Sequence, residues 1–137
     1  MKKMLMVLLM AVMMVSMSGC FFDNTTVIDT VKTIETDSWY KGTHNTQYLF
    51  ASIFARIIPG NNRVETHNNA FAHMKWEVER KTDNERYYIA VSYKGAIIKF
   101  VARRSGDMVL IDDLSSAVVS YNGESAKLIE LMIAFNY

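Results

Sequence analysis

Cysteine occurs once in the 137 residues, at position 20. No disulfide can therefore brace residues 21–137, and a fold built from them must stand on packing. The same absence excludes thiol catalysis, zinc-finger chemistry and redox function from that region. Charge of one sign is also lacking: 15 Lys and Arg face 14 Asp and Glu. No basic surplus exists to neutralise a phosphate backbone, so nucleic acid is not an expected partner. Missing too are GxGxxG, the P-loop, GxSxG and HExxH, and no internal repeat or low-complexity tract occurs beyond the first twenty residues.

What is present begins with those twenty residues, MKKMLMVLLMAVMMVSMSGC. Lys2 and Lys3 form a positive n-region, Met4 to Met17 an apolar h-region broken only by Ser16, and Met17-Ser18-Gly19-Cys20 a small-residue cleavage site. The apolar run is shorter than the roughly 20 residues that span a bilayer, which favours an export signal. Reading through to Phe22 lengthens it, so an uncleaved inner-membrane anchor is the alternative. Met17 to Cys20 resembles the lipobox of bacterial lipoproteins, with methionine where leucine is usual. The resemblance covers the signal alone; residues 21–137 resemble no recognised family. It implies removal of residues 1–19, a diacylglycerol on the Cys20 sulfur and an acyl group such as palmitate on the new N-terminus. Phe21, in place of the aspartate that marks inner-membrane retention, implies an outer-membrane address facing the periplasm. Loss of Lys2 and Lys3 leaves 13 basic residues against 14 acidic, and seven of the ten methionines go with the leader, leaving Met74, Met108 and Met132.

Residues 20–37 read as the lipidated cysteine followed by a tether or first strand, and residues 38–137 as a single domain of ordinary size. Within VIDTVKTIET the β-branched Val27, Ile28, Thr30, Val31, Thr33, Ile34 and Thr36 favour a strand. Val27, Val31 and Ile34 with Thr26 and Asp29 would instead suit a short helix; the strand is the expectation. Asn45 to Ile58 holds no breaker and stops at Pro59-Gly60, which predicts a helix capped from Thr43, His44 or Asn45. Only Gln47, Ser52 and Arg56 interrupt its apolar surface, so it should be covered nearly all round.

Phe71 to Arg80 alternates, with Ala72, Met74, Trp76 and Val78 facing one way and His73, Lys75, Glu77 and Glu79 the other, as in a half-solvated strand. Further strands are predicted over Arg86–Lys94, Ile97–Arg104 and Met108–Ile111, joined by short turns that make an antiparallel meander. Asn122-Gly123 marks a turn. After it Leu128, Ile129, Met132 and Phe135 recur at helical spacing, against a rival strand alternation through Ile129, Leu131, Ile133, Phe135 and Tyr137. The predicted fold is α+β: a four- to five-stranded antiparallel meander with one helix before it and one after.

Candidate chemistry is sparse. His44, His67 and His73 lack metal-ligand spacing and read as surface or capping residues. Asp112-Asp113 point to opposite strand faces and read as turn or cap formers. Glu77 and Glu79 share a face with Lys75 and suit cross-strand pairing better than glycoside hydrolysis. Ser115 and Ser116 have no base nearby in sequence. No catalytic residue, metal or cofactor is expected. Aromatic residues are the richer feature: Trp39, Tyr40, Trp76, Tyr87, Tyr88, Tyr93 and Phe100 supply either core or a cleft for an apolar or peptide ligand. The best candidates for a contact surface are Tyr48, Phe50 and Phe54 on the helix and Tyr88 on the sheet.

The functional expectation is a non-catalytic binding or interaction lipoprotein that meets the membrane through its anchor and another envelope protein through its surface. An exclusion or immunity lipoprotein of a plasmid or phage is a second class, which genetic neighbourhood would separate. An enzyme whose site assembles from distant residues is the third.

Overall fold

The computed structural model describes residues 23–36 and 45–135. The signal, Cys20, Trp39, Tyr40, His44 and Tyr137 lie outside them. The chain divides into two compact units, residues 1–30 and 31–137. Helix α1 (Asn24–Lys32) occupies the stretch read as a strand. Its start is fixed by Asp23, whose Oδ1 accepts from the Thr26 N–H at 2.9 Å; that backbone hydrogen bond holds the Asp23 carboxyl below the usual aspartate value. The Thr30 hydroxyl donates to the Thr26 carbonyl. β-Branching costs only a few tenths of a kcal/mol per helical residue, and a cap contributes about 1 kcal/mol, so a good cap offsets several such residues.

The second unit is built on helix α2 (Thr46–Ile57), helix α3 (Arg63–His73) and a six-stranded antiparallel sheet. Its strands are β1 (Lys75–Lys81), β2 (Arg86–Tyr93), β3 (Ala96–Ser105), β4 (Met108–Asp112), β5 (Val118–Tyr121) and β6 (Glu124–Lys127), and helix α4 (Leu128–Ala134) closes the described chain. The α+β meander with helices before and after it is therefore the architecture, extended by two short strands. β1 to β3 follow in order. The far side of β3 is shared: β4 pairs with Val101–Ser105 and β5 with Ile97–Lys99, a short 3-10 turn (Leu114–Ser116) lying between them.

One face of the sheet is core. Tyr87, Ile89, Val91 and Tyr93 of β2 are buried, as are Ala96, Ile98, Phe100 and Ala102 opposite them on β3. Phe50 of α2 stacks on Trp76 at 5.8 Å and meets Phe100 edge-on at 5.4 Å, while Phe54 lies 6.2 Å from Tyr93. Among the described residues the buried Trp76 Nε1 has no hydrogen-bond partner. The opposite face carries Tyr88, Lys99, Arg103 and Met108 toward solvent.

Two details depart from the expected strands. Residues 71–73 end α3 instead of opening β1, and the alternation that begins at Met74 is the strand's own. A bulge between Val78 and Arg80 then shifts the register, so Lys81 pairs with Tyr87 and its ammonium sits 5.4 Å from that ring. Turn chemistry behaves as expected: Lys94-Gly95 and Asn122-Gly123 have positive φ at both positions, the two-residue hairpin geometry that suits strand twist. After the second of these, the helical reading of the C-terminal stretch holds and the rival alternation from Ile129 onward does not. Glu124–Lys127 is a strand, and from Leu128 the chain is helical, its start held by the Lys127 N–H on Glu130 Oε1 at 2.8 Å.

Glu85 adopts φ 62° between β1 and β2, a conformation costly for a side chain. Arg104 holds it from both sides, its backbone N–H on the Glu85 carbonyl at 3.0 Å and its Nε on Oε1 at 3.2 Å. The Arg104 hydrogen bond puts the Glu85 carboxyl below the usual glutamate value. A carboxyl lowered by folding stabilises above its unfolded pKa, and that contribution is lost as pH falls through the lowered value.

Candidate functional site

α2 begins where Asn45 turns its Oδ1 onto the Tyr48 N–H at 2.9 Å, and both the Thr46 N–H and its hydroxyl donate to the Ile34 carbonyl. Eight of the helix's twelve residues, Thr46 and Leu49 through Ala55, are buried. α3 follows after Pro59-Gly60, capped in the same manner by Asn62 on the Glu65 N–H at 3.1 Å. The connection is tight: a Cβ on Gly60 would lie 3.1 Å from the Thr66 hydroxyl. This short link sets α3 beside α2 and leaves a cleft of about 360 Å³ between them.

The cleft is walled on the α2 side by Tyr48, Ser52 and Arg56, one turn apart in succession, and on the α3 side by Arg63, Val64, His67 and Asn68. Ser52 Oγ and His67 Nδ1 are 3.3 Å apart across it. The His67 ring packs on Tyr48 at 4.4 Å, with Phe71 at 6.4 Å. Gln47 Nε2 donates to the Phe71 carbonyl at 3.1 Å, a further tie between the two helices. Among the described residues the cleft is lined by two guanidiniums, Arg56 and Arg63, and by no carboxylate. Arg63 opens α3, where the helix dipole is positive and disfavours a cation by about 0.3–1 kcal/mol, so the arginine and the helix end reinforce one positive field.

Of the residues singled out from the sequence, Tyr48 lies in this cleft. Phe50 and Phe54 do not line a surface at all; both are fully buried against the sheet, because α2 is enclosed by sheet and α3 together. Tyr88 is on the opposite sheet face, the Arg80 guanidinium 3.9 Å over its ring. Beside it is a smaller cavity, about 210 Å³, lined in part by Glu79, Lys99 and Asp112. Lys99 pairs with Glu79 at 3.5 Å and Asp112 with Arg86, while Asp113 adds a further carboxylate to the lining, a balance that does not favour an anion. Asp113 has φ 51° and accepts from the Ser115 hydroxyl at 2.6 Å, in keeping with a turn former. His73 is exposed in the last turn of α3. Among the described residues no group of three or more His, Cys, Asp or Glu side chains is placed to hold a metal ion, and no helix is long and apolar enough to cross a membrane.

No family model, no curated protein and no solved structure matches the chain. Chemistry must therefore be read from the cleft itself. It offers guanidinium, hydroxyl, imidazole and carboxamide groups on a half-apolar wall, a set suited to accepting an anion. Ser52 and Arg63 are not among the sequence candidates, and His67, expected to be a surface or capping residue, instead packs on Tyr48 and meets Ser52 across the cleft. A signal existed for the α2 wall: Tyr48, Ser52 and Arg56 recur every four residues, a polar stripe on an otherwise apolar helix.

Proposed function

We propose that this chain is a lipid-anchored lipoprotein of the bacterial envelope that binds a small anionic ligand between α2 and α3 without chemical turnover. One observation carries the binding half of this reading: the cleft brings the Arg63 guanidinium, at the start of α3, into one cavity with the Ser52 hydroxyl and the His67 imidazole. Bidentate guanidinium contacts favour carboxylate or phosphate groups, and hydroxyls at Tyr48 and Ser52 can donate to the same oxygens. The N-terminal signal and Cys20 support the address, an outer-membrane anchor facing the periplasm.

The contact between Ser52 and His67 raises a second reading, a serine hydrolase. Ser52 lies in the interior of α2, where backbone N–H groups are committed to helical hydrogen bonds and cannot form an oxyanion hole. That favours a binding role, with His67 and Ser52 as ligand donors.

The test uses the full chain in phosphatidylcholine nanodiscs, titrated calorimetrically with acetate, succinate and inorganic phosphate. Saturable binding of at least one anion, weakened at least tenfold by Arg63→Gln and by raised salt, is the expected result. Equal binding of uncharged acetamide, or no saturable binding, overturns the reading. Release of product from p-nitrophenyl acetate, lost in Ser52→Ala, would replace it with the hydrolase. For the address, wild-type protein should incorporate labelled palmitate and Cys20→Ser should not.

A further inference from the structure

We infer that the solvent-facing side of the sheet docks an acidic amphipathic helix of a partner protein, a carboxylate of that helix seated on Arg103 and an apolar side chain in the recess beside Tyr88. The inference is independent of the α2–α3 cleft. Arg86 on β2 and Arg103 on β3 are direct cross-strand partners on that face. Like charges directly opposite one another destabilise a sheet unless a counter-charge lies between them. Asp112 answers one of the two, since Arg86 reaches it across β3 in an ion pair. Among the described residues the Arg103 side chain has neither an ion pair nor a hydrogen bond, although it is only partly exposed. The folded chain thus keeps two opposed guanidiniums and one carboxylate, an arrangement that a second carboxylate from outside completes with charge-assisted hydrogen bonds.

The surface around Arg103 is apolar. Leu110 stands opposite it on β4, Val101 and Tyr88 form the neighbouring row, and Met108, at the start of β4 on the other side, is 61 % exposed. Where β4 gives way to β5 along β3 lies the recess of about 210 Å³, with Tyr88, Val101, Ala117 and Val118 among its walls. That volume is below the roughly 300 Å³ at which small-molecule sites begin, so the recess suits a partner's side chain better than a free ligand. Spacing then selects the form of the partner. Positions 101 and 103 are about 7 Å apart along an extended strand, and residues four apart on a helix are separated by about 6 Å along its axis. A helix bearing leucine and glutamate at that spacing reaches the recess and Arg103 together, and a helix is the element that an antiparallel sheet takes on an open face.

The full chain in phosphatidylcholine nanodiscs is used to select binders from a displayed library of helical peptides of about 16 residues, randomised along one face. Enriched peptides should pair aspartate or glutamate with leucine, methionine or phenylalanine four residues away. Arg103→Gln should weaken them roughly tenfold or more, and selection against Arg103→Glu should enrich lysine or arginine in place of the acid. Arg63→Gln should leave their affinity unchanged, which separates this face from the cleft. Without peptide, Arg103→Gln should unfold in urea at the same or a higher midpoint, since it removes a like charge. A lowered midpoint would show that Arg103 serves the fold itself and overturns the inference. Absence of any enriched peptide, enrichment without an acidic bias, or binding indifferent to Arg103 overturns it as well, and none of these outcomes touches the anion reading of the cleft.

Discussion

Helices α2 and α3 lie side by side, of nearly equal length, with the same asparagine cap, and they are otherwise opposites. α2 buries eight of its residues and α3 only Ala70. α2 owes its place to Leu49, Phe50, Ile53 and Phe54, which fill the space over the sheet. α3 leaves Val64 at 70 % exposure and Phe71 at 37 %, and its hold on the molecule is the tight Gly60 link, the cap and contacts along one edge of α2. One helix fills the core and the other lies along its edge; the cleft forms where they meet, lined by Tyr48, Ser52 and Arg56 from the first and by Arg63, Val64, His67 and Asn68 from the second.

Substitution should expose that division in descending order of effect. Phe50→Ala removes a fully buried ring lodged against Trp76 and Phe100 and should cost about 3–5 kcal/mol in urea unfolding. A loss under about 1 kcal/mol would mean that α2 is not the core helix. Next come the caps. Asn45→Ala and Asn62→Ala should each cost about 1 kcal/mol if both helices are part of one cooperative unit; a cost at Asn45 alone would show that α3 frays independently of the global transition. Smallest is Val64→Ser on α3, expected within about 0.5 kcal/mol. A cost comparable to that at Phe50 would show that the exposed side of α3 is covered by something else, and the contrast between the helices would disappear.

The same contrast explains what could be read from the sequence. α2 was legible because a helix enclosed on all sides is an apolar run that ends at a breaker, and ILE-type periodicity is not needed to see it. α3 (RVETHNNAFAH) buries one alanine, so it carries almost no hydrophobic pattern to detect, and its last residues were absorbed into the alternation of β1. α1 departs from the expected strand for a different reason: β-branched composition is weak information beside a capping carboxylate at Asp23. The meander was legible from turn residues, since Lys94-Gly95 and Asn122-Gly123 specify hairpins locally. The cleft was half legible. Tyr48 stands out in the sequence for its aromatic ring, whereas Arg63 and His67, which line the same cleft, come from the helix without a pattern, and proximity between two helices is not a property of either segment.

The division of the far side of β3 between β4 and β5 has a kinetic meaning. β4 meets β3 through five residue pairs and β5 through three, Ile97–Ser120, Ile98–Val119 and Lys99–Val118. Behind those three pairs come β6 and α4, which return to the sheet through Leu128, its N–H on the Ala117 carbonyl at 2.7 Å. The segment from Val118 to Ala134 is thus paired to the sheet by a short seam and can open as a cooperative subunit while β1 to β4 stay paired. Amide protons of Val118–Lys127 should exchange with deuterium ahead of those in β2 and the Ala102–Ser105 end of β3. The cavity lined by Leu131 and Phe135 lies on the side of that opening, so brief local unfolding of the segment exposes its apolar walls to water.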